Sequence, residues 1–538
     1  MSDRHPSSGP LVEGPHDPEH DPTASYALDR GYVADLTRRL VATSGETLEL
    51  RSPIGDQPLA HVPQSTDEDV EEAFRRARRA QTDWARTPLE LRARALMRLH
   101  DLVLDRQHEI MDLVCLESGK ARKHAFDEPL HIALTARYYG RTAHEHLDPR
   151  RVRGVIPVLT RVEVHRVPKG VVGIISPWNY PFTMALADGL PALLAGNAVV
   201  AKPDAQTMLS ALLAAQLLEE AGFPADLWQV VAGPGPEIGP ALVRRADYIC
   251  FTGSTATGRL VAQGCADRLI GCSLELGGKN PILVLRDADL EKAAEGAVRA
   301  AFSNAGQLCV SMERLFVADQ VYDRFLERFV ARTEAMTLGA TLAWGNDMGP
   351  LISRQQLETV SAHVDDAVAK GARVLTGGRA RPDLAPFFYE PTVLEGVTPE
   401  MTCFGTETFG PVVAAYRFHD EADAIARAND GEYGLNASIY SQDGSRARAI
   451  AQQIRCGSVN INEGFAASFG SIEAPMGGMR SSGLGRRQGS EGVLRYTETQ
   501  SVATQRVSPI APRFGASDEL YGKVMTAALR VMNKLGRA

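Results

Sequence analysis

The feature that most constrains the fold is a series of short apolar segments between residues 170 and 258. Segments rich in β-branched residues stand at 171–175, 198–201, 227–231 and 248–251, and helical patterns lie near 206–221 and 236–245. Near-continuous apolar strands separated by helices predict a parallel sheet that helices cover on both faces. Ligands of such sheets bind beyond the carboxyl ends of the strands, where this chain has polar or glycine-rich loops.

Three other regions extend this α/β prediction. Helical periodicity over residues 67–124 predicts an α-helical layer before the sheet. Alternating apolar and polar residues at 153–167 predict an exposed β ribbon. A second region of sheet and helices is predicted for 281–475, with helices near 289–302 and 320–337.

The composition narrows the class of protein. A length of 538 residues is enough for two or three domains, and a net charge of −8 argues against nucleic-acid binding as the main function. The seven cysteines are scattered without CxxC pairs, which argues against a disulfide framework or structural zinc and indicates a reducing cytosol. No apolar run approaches the roughly 20 residues that span a bilayer, and no secretory signal is visible. We therefore expect a cytoplasmic protein without a bound metal and without stable membrane insertion.

The two ends of the chain differ from the rest. Residues 1–30 carry few large apolar groups and are predicted to be a disordered tail. The segment 518–535 places apolar side chains on one helical face: Leu520, Tyr521, Val524, Met525, Ala528, Leu529, Met532 and Leu535. We interpret this segment as a helix that docks at a subunit interface, with a weak membrane-surface contact as the alternative.

Cys309 is the candidate nucleophile. It follows a small Asn-Ala-Gly-Gln turn, in which Gly306 allows tight backbone curvature, and it precedes an apolar, strand-like segment at 314–317. A cysteine attacks carbonyl groups well because its thiolate is intrinsically nucleophilic. The alternative is that Cys309 is a small buried hydrophobic residue.

Two further residues have side chains suited to carbonyl chemistry. Glu275 lies between two leucines and beside two glycines, and apolar surroundings raise the pKa of a carboxyl group towards that of a general base. Its alternative is a structural glutamate that pairs with an arginine. Asn179 has an amide suited to stabilising an oxyanion together with a backbone N–H, although an isolated asparagine is more often a turn residue.

The loop 252–258 is a candidate phosphate-binding site. It follows one strand and opens a helix, so that the backbone N–H groups near Gly253, Ser254 and Gly258 can hold a pyrophosphate. The loop lacks the GxGxxG pattern and is weak evidence alone. Lys202, at the end of another strand of the same sheet, can reach a ribose or phosphate oxygen, and its alternative is a solvated surface lysine.

Taken together and in order, these motifs resemble the aldehyde dehydrogenase superfamily over about residues 30–505. The residues that carry the resemblance are Ser-Pro-Trp-Asn-Tyr-Pro at 176–181, Lys-Pro at 202–203, Phe-Thr-Gly-Ser-Thr at 251–255, Leu-Glu-Leu-Gly-Gly-Lys-Asn-Pro at 274–281, Gly-Gln-x-Cys at 306–309, Glu-Thr-Phe-Gly-Pro-Val at 407–412 and Cys-Gly-x-Val-x-Ile-Asn at 456–462. Within the superfamily the chain is most similar to the NADP-dependent succinate-semialdehyde dehydrogenase branch, in a longer actinobacterial-type form.

The resemblance implies a role for each matching position. It makes Cys309 the nucleophile, Glu275 the base that activates the hydrolytic water, and Asn179 with the Cys309 backbone N–H the oxyanion hole. It also implies a group of cofactor-binding positions: Trp178, Lys202, Ala205, Gly253, Ser254, Gly258, Glu407 and Phe409.

The resemblance further implies an aldehyde dehydrogenase-like α/β fold with three parts. These are a Rossmann-type nucleotide domain at 31–150 and 168–274, an α/β catalytic domain at 275–474, and a β oligomerisation arm at 151–167 and 488–507, followed by a C-terminal extension at 508–538 with an amphipathic helix. The alternating ribbon at 153–167 and a strand-like segment at Val493–Val507 fit this arm. Subunits of this kind pair into homodimers or homotetramers.

The expected function is oxidation of an aldehyde, succinate semialdehyde or another small aldehyde, to the carboxylic acid with NAD(P). The reaction would pass through a thiohemiacetal and a thioester on Cys309. Three alternatives stay open: a different or broad aldehyde specificity, a CoA-acylating dehydrogenase, and a catalytically silent structural protein on the same fold. The presence of Glu275 argues against the CoA-acylating alternative, because that branch tends to lack the base.

The chain departs from the branch at several positions. The two arginines that usually hold the succinate semialdehyde carboxylate fall on Ala187 and Ser303, and the late Ser-Gly-x-Gly-Arg-Glu pattern ends in Arg487 instead of glutamate. In addition, the glutamate that binds the adenosine ribose in NAD-preferring members falls on Ala205. Its absence predicts a preference for NADP, with NAD as a usable alternative, provided that Asp204 points away from the 2′-phosphate.

Overall fold

The computed structural model describes residues 28–155, 160–506, 510–512 and 515–534. The predicted tail at 1–30 lies outside the described residues except at its end. There, Leu28 is buried and Asp29 caps the first helix by accepting a hydrogen bond from the Tyr32 backbone N–H at 2.7 Å. The fold therefore begins about three residues earlier than we expected. In the described part of the chain, no helix is both long and apolar enough to cross a bilayer.

The elements alternate between strands and helices along most of the chain. The strands are β1 Thr47–Ser52, β2 Gln57–Pro63, β3 Arg150–Arg153, β4 Thr160–Pro168, β5 Val171–Ile175, β6 Ala198–Lys202, β7 Trp228–Val230, β8 Tyr248–Thr252, β9 Gly271–Glu275, β10 Asn280–Val284, β11 Met312–Ala318, β12 Arg373–Thr376, β13 Thr392–Glu395, β14 Val412–Phe418, β15 Asn436–Tyr440, β16 Ser458–Ile461, β17 Gly483–Leu484 and β18 Thr497–Gln505.

The helices are α1 Arg30–Thr37, α2 Asp67–Trp84, α3 Leu89–Asp105, α4 Gln107–Ser118, α5 Arg122–Ala125, α6 Asp127–Leu147, α7 Pro181–Leu186, α8 Gly189–Leu194, α9 Met208–Glu220, α10 Gly235–Val243, α11 Thr255–Asp267, α12 Leu290–Phe302, α13 Tyr322–Glu334, α14 Arg354–Ala369, α15 Thr402–Gly405, α16 Glu421–Ala428, α17 Gly444–Ala451, α18 Ala466–Gly470, α19 Gly489–Leu494 and α20 Asp518–Lys534. Short 3-10 turns lie at Ala205–Thr207, Ala225–Leu227, Ser303–Gly306 and Arg480–Ser482.

The first large sheet has six strands in the order β17-β9-β8-β5-β6-β7. All neighbours are parallel except the short β17, which pairs antiparallel with β9. Strands β5, β6 and β8 are almost fully buried because helices cover the sheet, as their apolar sequences predict. Lys202, Thr252 and Glu275 end three of these strands, so all three lie at the carboxyl edge where parallel sheets bind ligands.

The second large sheet has seven strands in the order β12-β13-β14-β11-β10-β15-β16, parallel except for the edge strand β12. Helices α12 and α13 share its apolar core and contact each other through the stacked rings of Phe302 and Phe329, whose centroids are 6.1 Å apart. Every residue of β11 is buried, which fixes the position of the chain that leads into it. Cys309 stands three residues before this strand.

The sequence predicted these elements closely. The four predicted strands at 171–175, 198–201, 227–231 and 248–251 correspond to β5, β6, β7 and β8, and the fold class is confirmed. The strand-like segment that we expected to begin at Val493 is wrong at its start. Val493 and Leu494 belong to α19, and the strand begins at Thr497.

The chain divides into two compact units. The larger contains both large sheets, and the smaller consists of Leu147–Val167 and the chain from Thr499 onward. Most of a three-stranded sheet, β18-β4-β3, belongs to the smaller unit, as does α20. On α20 the apolar side chains of Leu520, Val524 and Leu529 are each more than half exposed. Leu535, which we placed on the same face, lies outside the described residues.

Candidate active site

Cys309 lies on a strained turn. Asn304, Ala305 and Gly306 all have positive φ, at 51°, 54° and 68°, a conformation that costs free energy in residues with a Cβ. A Cβ at Gly306 would lie 2.0 Å from the Gly410 carbonyl oxygen, so only glycine fits there. The turn thus keeps the chain close to the 410 loop and presents Cys309, which is partly exposed, at its end.

Asn280 fixes the other side of this turn. Its Nδ2 donates to the carbonyl oxygens of Cys309 and Ser311, both at 2.8 Å. Its Oδ1 accepts from the Asn436 backbone N–H at 3.0 Å. Asn280 belongs to the motif at 274–281, but the sequence alone did not indicate a role for it. The structure makes it the residue that ties the cysteine loop to β10 and β15.

Two N–H donors lie beside the cysteine. Asn179 is buried and its Nδ2 donates one hydrogen bond, to the Gln307 carbonyl at 3.0 Å. The other hydrogen of the Asn179 side-chain amide and the backbone N–H of Cys309 have no acceptor within the described residues. The structure therefore brings together the two groups that we expected to stabilise an oxyanion.

A buried ion pair that the sequence did not reveal holds Asn179 in place. Lys120 Nζ donates to Glu128 Oε1 and to the Asn179 carbonyl, both at 2.7 Å, and it lies 3.6 Å from the centre of the Tyr180 ring. The side chains of Lys120 and Glu128 are fully buried. No local sequence signal identifies this pair, because its members become neighbours of Asn179 only in the folded chain.

Glu275 occupies an environment suited to a base. It ends β9 and is buried, and this burial raises the pKa of its carboxyl group to about 7. The Oε1 atom has no hydrogen-bond partner among the described residues and remains able to accept one from water. The nearest opposite charge is Arg487, whose Nε lies 3.7 Å from Oε1. Pairing with an arginine, our structural alternative for Glu275, is thus part of the same site.

The thiol of Cys309 is affected by the charges around it. Burial raises its pKa to about 12, Arg487 lowers it, and the carboxyl groups of Glu275 and Glu407 raise it. Glu407 is itself held by the Gly278 backbone N–H at 2.8 Å, and burial raises its pKa to about 8. The two carboxyl groups and Arg487 therefore belong to the electrostatic environment of one sulfur atom.

A cavity of about 1640 Å³, including its open mouth, lies at the carboxyl edge of the six-stranded sheet. Trp178, Lys202, Gly253 and Ser254 line it, and Ser254 caps α11 by accepting a hydrogen bond from the Thr257 backbone N–H. The Lys202 ammonium has no hydrogen-bond partner within the described chain. A strand edge, a helix N-terminus and an available cation are features that suit the binding of a dinucleotide.

The other predicted cofactor positions lie next to this cavity or behind its wall. Gly258 packs in α11, where a Cβ would lie 2.5 Å from the Leu276 side chain. Phe409 has φ of 54°, and its ring meets that of Trp178 edge-on at 5.6 Å. Asp204 is among the lining residues of the cavity and Ala205 is not. The Asp204 Oδ1 accepts from the Gln206 backbone N–H at 2.9 Å and so caps the turn at 205–207, and its direction relative to a 2′-phosphate stays a prediction.

A second pocket reaches Leu308 and Val310, the two neighbours of Cys309. Its other lining residues are mostly apolar: Leu130, Leu134, Tyr180, Phe465, Ala466, Phe469 and Gly470, with Asp127 and His131 as the polar members. Burial lowers the pKa of His131 to about 3 and raises that of Asp127 to about 6. Hence His131 is neutral near pH 7, and no lysine or arginine lines this pocket in the described part of the chain.

Three of the four positions of departure, Ala187, Ser303 and Arg487, lie in different places. Ala187 is buried at the end of α7, and Ser303 donates to the Arg299 carbonyl at 2.7 Å instead of facing the apolar pocket. Arg487 is buried beside Glu275.

The site as a whole contains a nucleotide-sized cavity, a cysteine with two oxyanion donors, and a buried carboxylate. These parts are the ones that a dehydrogenase acting on a carbonyl group through a thiol requires.

Comparison with known proteins identifies the family. Residues 40–502 match the aldehyde dehydrogenase family, so this chain belongs to it. A Mycolicibacterium smegmatis protein is 51% identical over 509 residues, 94% of this chain and 98% of its own, and its name gives succinate-semialdehyde dehydrogenase, NADP(+), as a provisional assignment. A rice mitochondrial succinate-semialdehyde dehydrogenase is 36% identical over 467 residues, covering 86% of this chain and 87% of the relative.

Solved structures agree with this assignment. An Escherichia coli NADP-dependent enzyme superposes with a TM-score of 0.84 at 35% identity, covering 88% of this chain and 99% of the other. A Staphylococcus aureus betaine aldehyde dehydrogenase in complex with NAD+ gives a TM-score of 0.84 at 30% identity, over 90% of this chain and 98% of the other. The aldehyde dehydrogenase fold therefore extends over most of the chain.

Proposed function

We propose that this protein oxidises an uncharged small aldehyde to its carboxylic acid, with NADP as the preferred cofactor and Cys309 as the nucleophile. The observation that supports this proposal best is the convergence of Cys309, Asn179 and Glu275 from three separate parts of the chain. Bound NADP supplies the hydride acceptor. The cavity lined by Trp178, Lys202, Gly253 and Ser254 would hold it.

The residues divide the work into two stages. The Cys309 sulfur adds to the aldehyde carbon, and the resulting oxyanion accepts hydrogen bonds from Asn179 Nδ2 and the Cys309 backbone N–H. Loss of hydride from the same carbon leaves a thioester. Glu275 then takes a proton from water, the water oxygen bonds to the thioester carbon, and the carbon–sulfur bond breaks to release the acid.

The preference for NADP rests on charge at the ribose end of the cavity. The names of the Mycolicibacterium and Escherichia coli relatives include NADP. In this chain the Lys202 ammonium is available, and alanine at 205 adds no negative charge. The negative charge of Asp204 on the cavity wall opposes this preference. We therefore expect NAD to remain a usable cofactor, although with lower efficiency than NADP.

The preference for an uncharged aldehyde rests on the apolar pocket. Several relatives carry the name succinate-semialdehyde dehydrogenase, but succinate semialdehyde has a carboxylate that needs a positive partner when it leaves water. Among the described residues, no lysine or arginine lines the pocket, and Asp127 adds a repulsive charge as it ionises. We therefore expect succinate semialdehyde to be a substrate of lower efficiency than an uncharged aldehyde of similar length.

For the assembly, we propose a homodimer or homotetramer. The exposed apolar face of α20 and the exposed strand β18 support it, because both leave surface that a second subunit can cover. Sedimentation of the full chain, compared with a chain shortened after residue 517, tests this part.

One assay tests the reaction and the substrate class together. The absorbance of reduced cofactor is followed with NADP or NAD, with butanal, hexanal, benzaldehyde or succinate semialdehyde, and with or without CoA. We expect oxidation without CoA and a higher kcat/KM for butanal than for succinate semialdehyde. An absolute requirement for CoA would instead indicate an acylating dehydrogenase, and the absence of turnover with every aldehyde would favour a silent structural protein.

A further inference from the structure

Arg487 lies beside the candidate base Glu275 and has no role in the reaction described above. It replaces the glutamate that the family pattern predicts, and its side chain is buried. Its Nη2 donates to Asp188 Oδ2 at 2.9 Å and to Thr252 Oγ1 at 3.0 Å, and its Nε lies 3.7 Å from Glu275 Oε1. The guanidinium group therefore lies between a fixed carboxylate and the candidate base.

The position of Arg487 is fixed by its backbone as well as its side chain. Its N–H donates to the Met476 carbonyl at 2.7 Å, and its own carbonyl accepts from the Met476 N–H at 2.8 Å. Asp188 in turn receives Arg495 Nη2 on its other oxygen, at 2.7 Å. Because Asp188 is held on both sides, it anchors Arg487 and leaves the Nε side directed at Glu275.

The facing atoms are not satisfied by other groups. Arg487 Nε and Glu275 Oε1 are both buried, and neither has a hydrogen-bond partner within the described residues. The separation of 3.7 Å is too long for a hydrogen bond but short enough for a strong charge interaction. Glu275 can therefore accept a proton from water while a positive charge stays beside it.

We propose that Arg487 is a positioning residue that keeps the Glu275 carboxylate ionised and oriented for hydrolysis of the thioester on Cys309. This inference rests on the proposed function of Cys309 and Glu275 and adds a residue to it. In the step concerned, water gives one proton to Glu275, its oxygen bonds to the acyl carbon, and the sulfur leaves as thiolate.

Three charged groups besides Arg487 act on Glu275, and they fix the expected direction. Asp188 raises the pKa of Glu275, whereas Arg495 and Arg486 lower it, and Glu275 in turn raises the pKa of the Cys309 thiol. Arg487 is the largest influence that opposes burial. Removing its charge should raise the pKa of Glu275, so that the base becomes ionised only at higher pH. Removing the charge of Asp188 should have the opposite effect.

The test uses p-nitrophenyl acetate, an activated ester that acylates a reactive thiol without any cofactor. A rapid burst of p-nitrophenol reports acylation of Cys309, and the slow phase that follows reports hydrolysis of the acyl-enzyme. The slow phase is measured between pH 5 and 9 for the wild type, Arg487→Gln, Arg487→Lys and Asp188→Asn. Arg487→Gln is also made in a Glu275→Gln background, and circular dichroism establishes that each variant is folded.

The rate of the slow phase should fall at low pH, where Glu275 is protonated, and we call this part of the pH profile the acid limb. We expect the acid limb to lie about one pH unit higher in Arg487→Gln than in the wild type, and most of the way back to its wild-type position in Arg487→Lys. In Asp188→Asn it should move down, and in the Glu275→Gln background Arg487→Gln should change the slow phase less than about twofold. A structural role would lower the rates without opposite movements of the limb.

An acid limb that stays in place in folded Arg487→Gln would overturn the inference. If that variant does not fold, an unmoved limb in Asp188→Asn overturns it instead. A wild-type enzyme without a burst, or a burst that survives Cys309→Ala, would tell against the proposed function rather than against Arg487.

Discussion

The large cavity at the sheet edge and the small apolar pocket next to Cys309 differ in how they are built. The cofactor-side cavity lies at the carboxyl edge of one parallel sheet, where Lys202 ends β6 and the loops after β5 and β8 contribute Trp178 and Ser254. The aldehyde-side pocket combines segments near 127–134, 308–310 and 465–470, which share no strand edge. The comparison shows that a fold can prescribe where a nucleotide binds while leaving the substrate wall to side chains from distant segments.

Chemistry separates the cavities as well. Lys202 provides an available cation on the cofactor side, whereas the aldehyde side is apolar apart from Asp127 and a neutral His131. Cys309 stands between Leu308 and Val310 of the aldehyde-side pocket, and Glu275 and Arg487 belong to its electrostatic environment. Changes at Cys309, at Glu275 and in each cavity should separate these contributions, beginning with the candidate nucleophile.

Cys309→Ala should have the largest effect. We expect aldehyde oxidation to fall at least about a hundredfold, because the variant has no nucleophile, while binding of NADP stays nearly unchanged. Steady-state turnover and cofactor fluorescence titration measure the two effects. Cys272→Ala is the matched control, because Cys272 is also partly exposed but lies within strand β9 and not in the loop that presents Cys309. Turnover above a few per cent in Cys309→Ala would refute the nucleophile assignment.

Glu275→Gln should separate the two stages. Hydrolysis should slow by about a hundredfold or more, since the variant lacks the base, so that a burst of reduced cofactor precedes a slow steady state. In the wild type, a base whose pKa is raised to about 7 should give a steady-state rate that falls as the pH drops below 7. Loss of the burst together with the steady state would place Glu275 in the first stage or in folding.

Leu130→Arg should make the aldehyde-side pocket resemble a carboxylate site. Leu130 lines this pocket and is 40% exposed, so an arginine can reach both solvent and substrate. We expect kcat/KM for succinate semialdehyde to rise roughly tenfold while that for butanal does not. Leu91→Arg, at a leucine 45% exposed outside the pocket, controls for the added charge. A parallel change for both aldehydes would mean that charge in this pocket does not govern specificity.

Ala205→Glu should have the smallest effect and bears on the cofactor-side cavity. An added carboxylate near the ribose should move the ratio of kcat/KM values from NADP towards NAD by a few-fold to about tenfold. Ala205→Gln has nearly the same size without the charge and should leave the ratio close to wild type. A larger shift in Asp204→Asn than in Ala205→Glu would show that the wall residue Asp204 controls the preference.

The sequence by itself determined the strands and helices and the members of the motifs. Apolar runs fixed β5, β6 and β8 to within a residue, and the ends of these strands placed Lys202 and Gly253 at one edge. Gly306 could be recognised because its positive φ and its 2.0 Å approach to another backbone are requirements that only glycine meets. Such features follow from local periodicity and backbone geometry, which the sequence expresses directly.

Tertiary structure decided the electrostatics and the shape of the substrate pocket. Arg487 pairs with Asp188 across 299 positions, and Lys120 supports Asn179 across 59 positions. Asp204 lies on the wall of the cofactor-side cavity, which forms only where the loops after β5, β6 and β8 meet. The physical reason is that burial and charge interactions depend on distance in space, and this distance is set only when remote segments pack together.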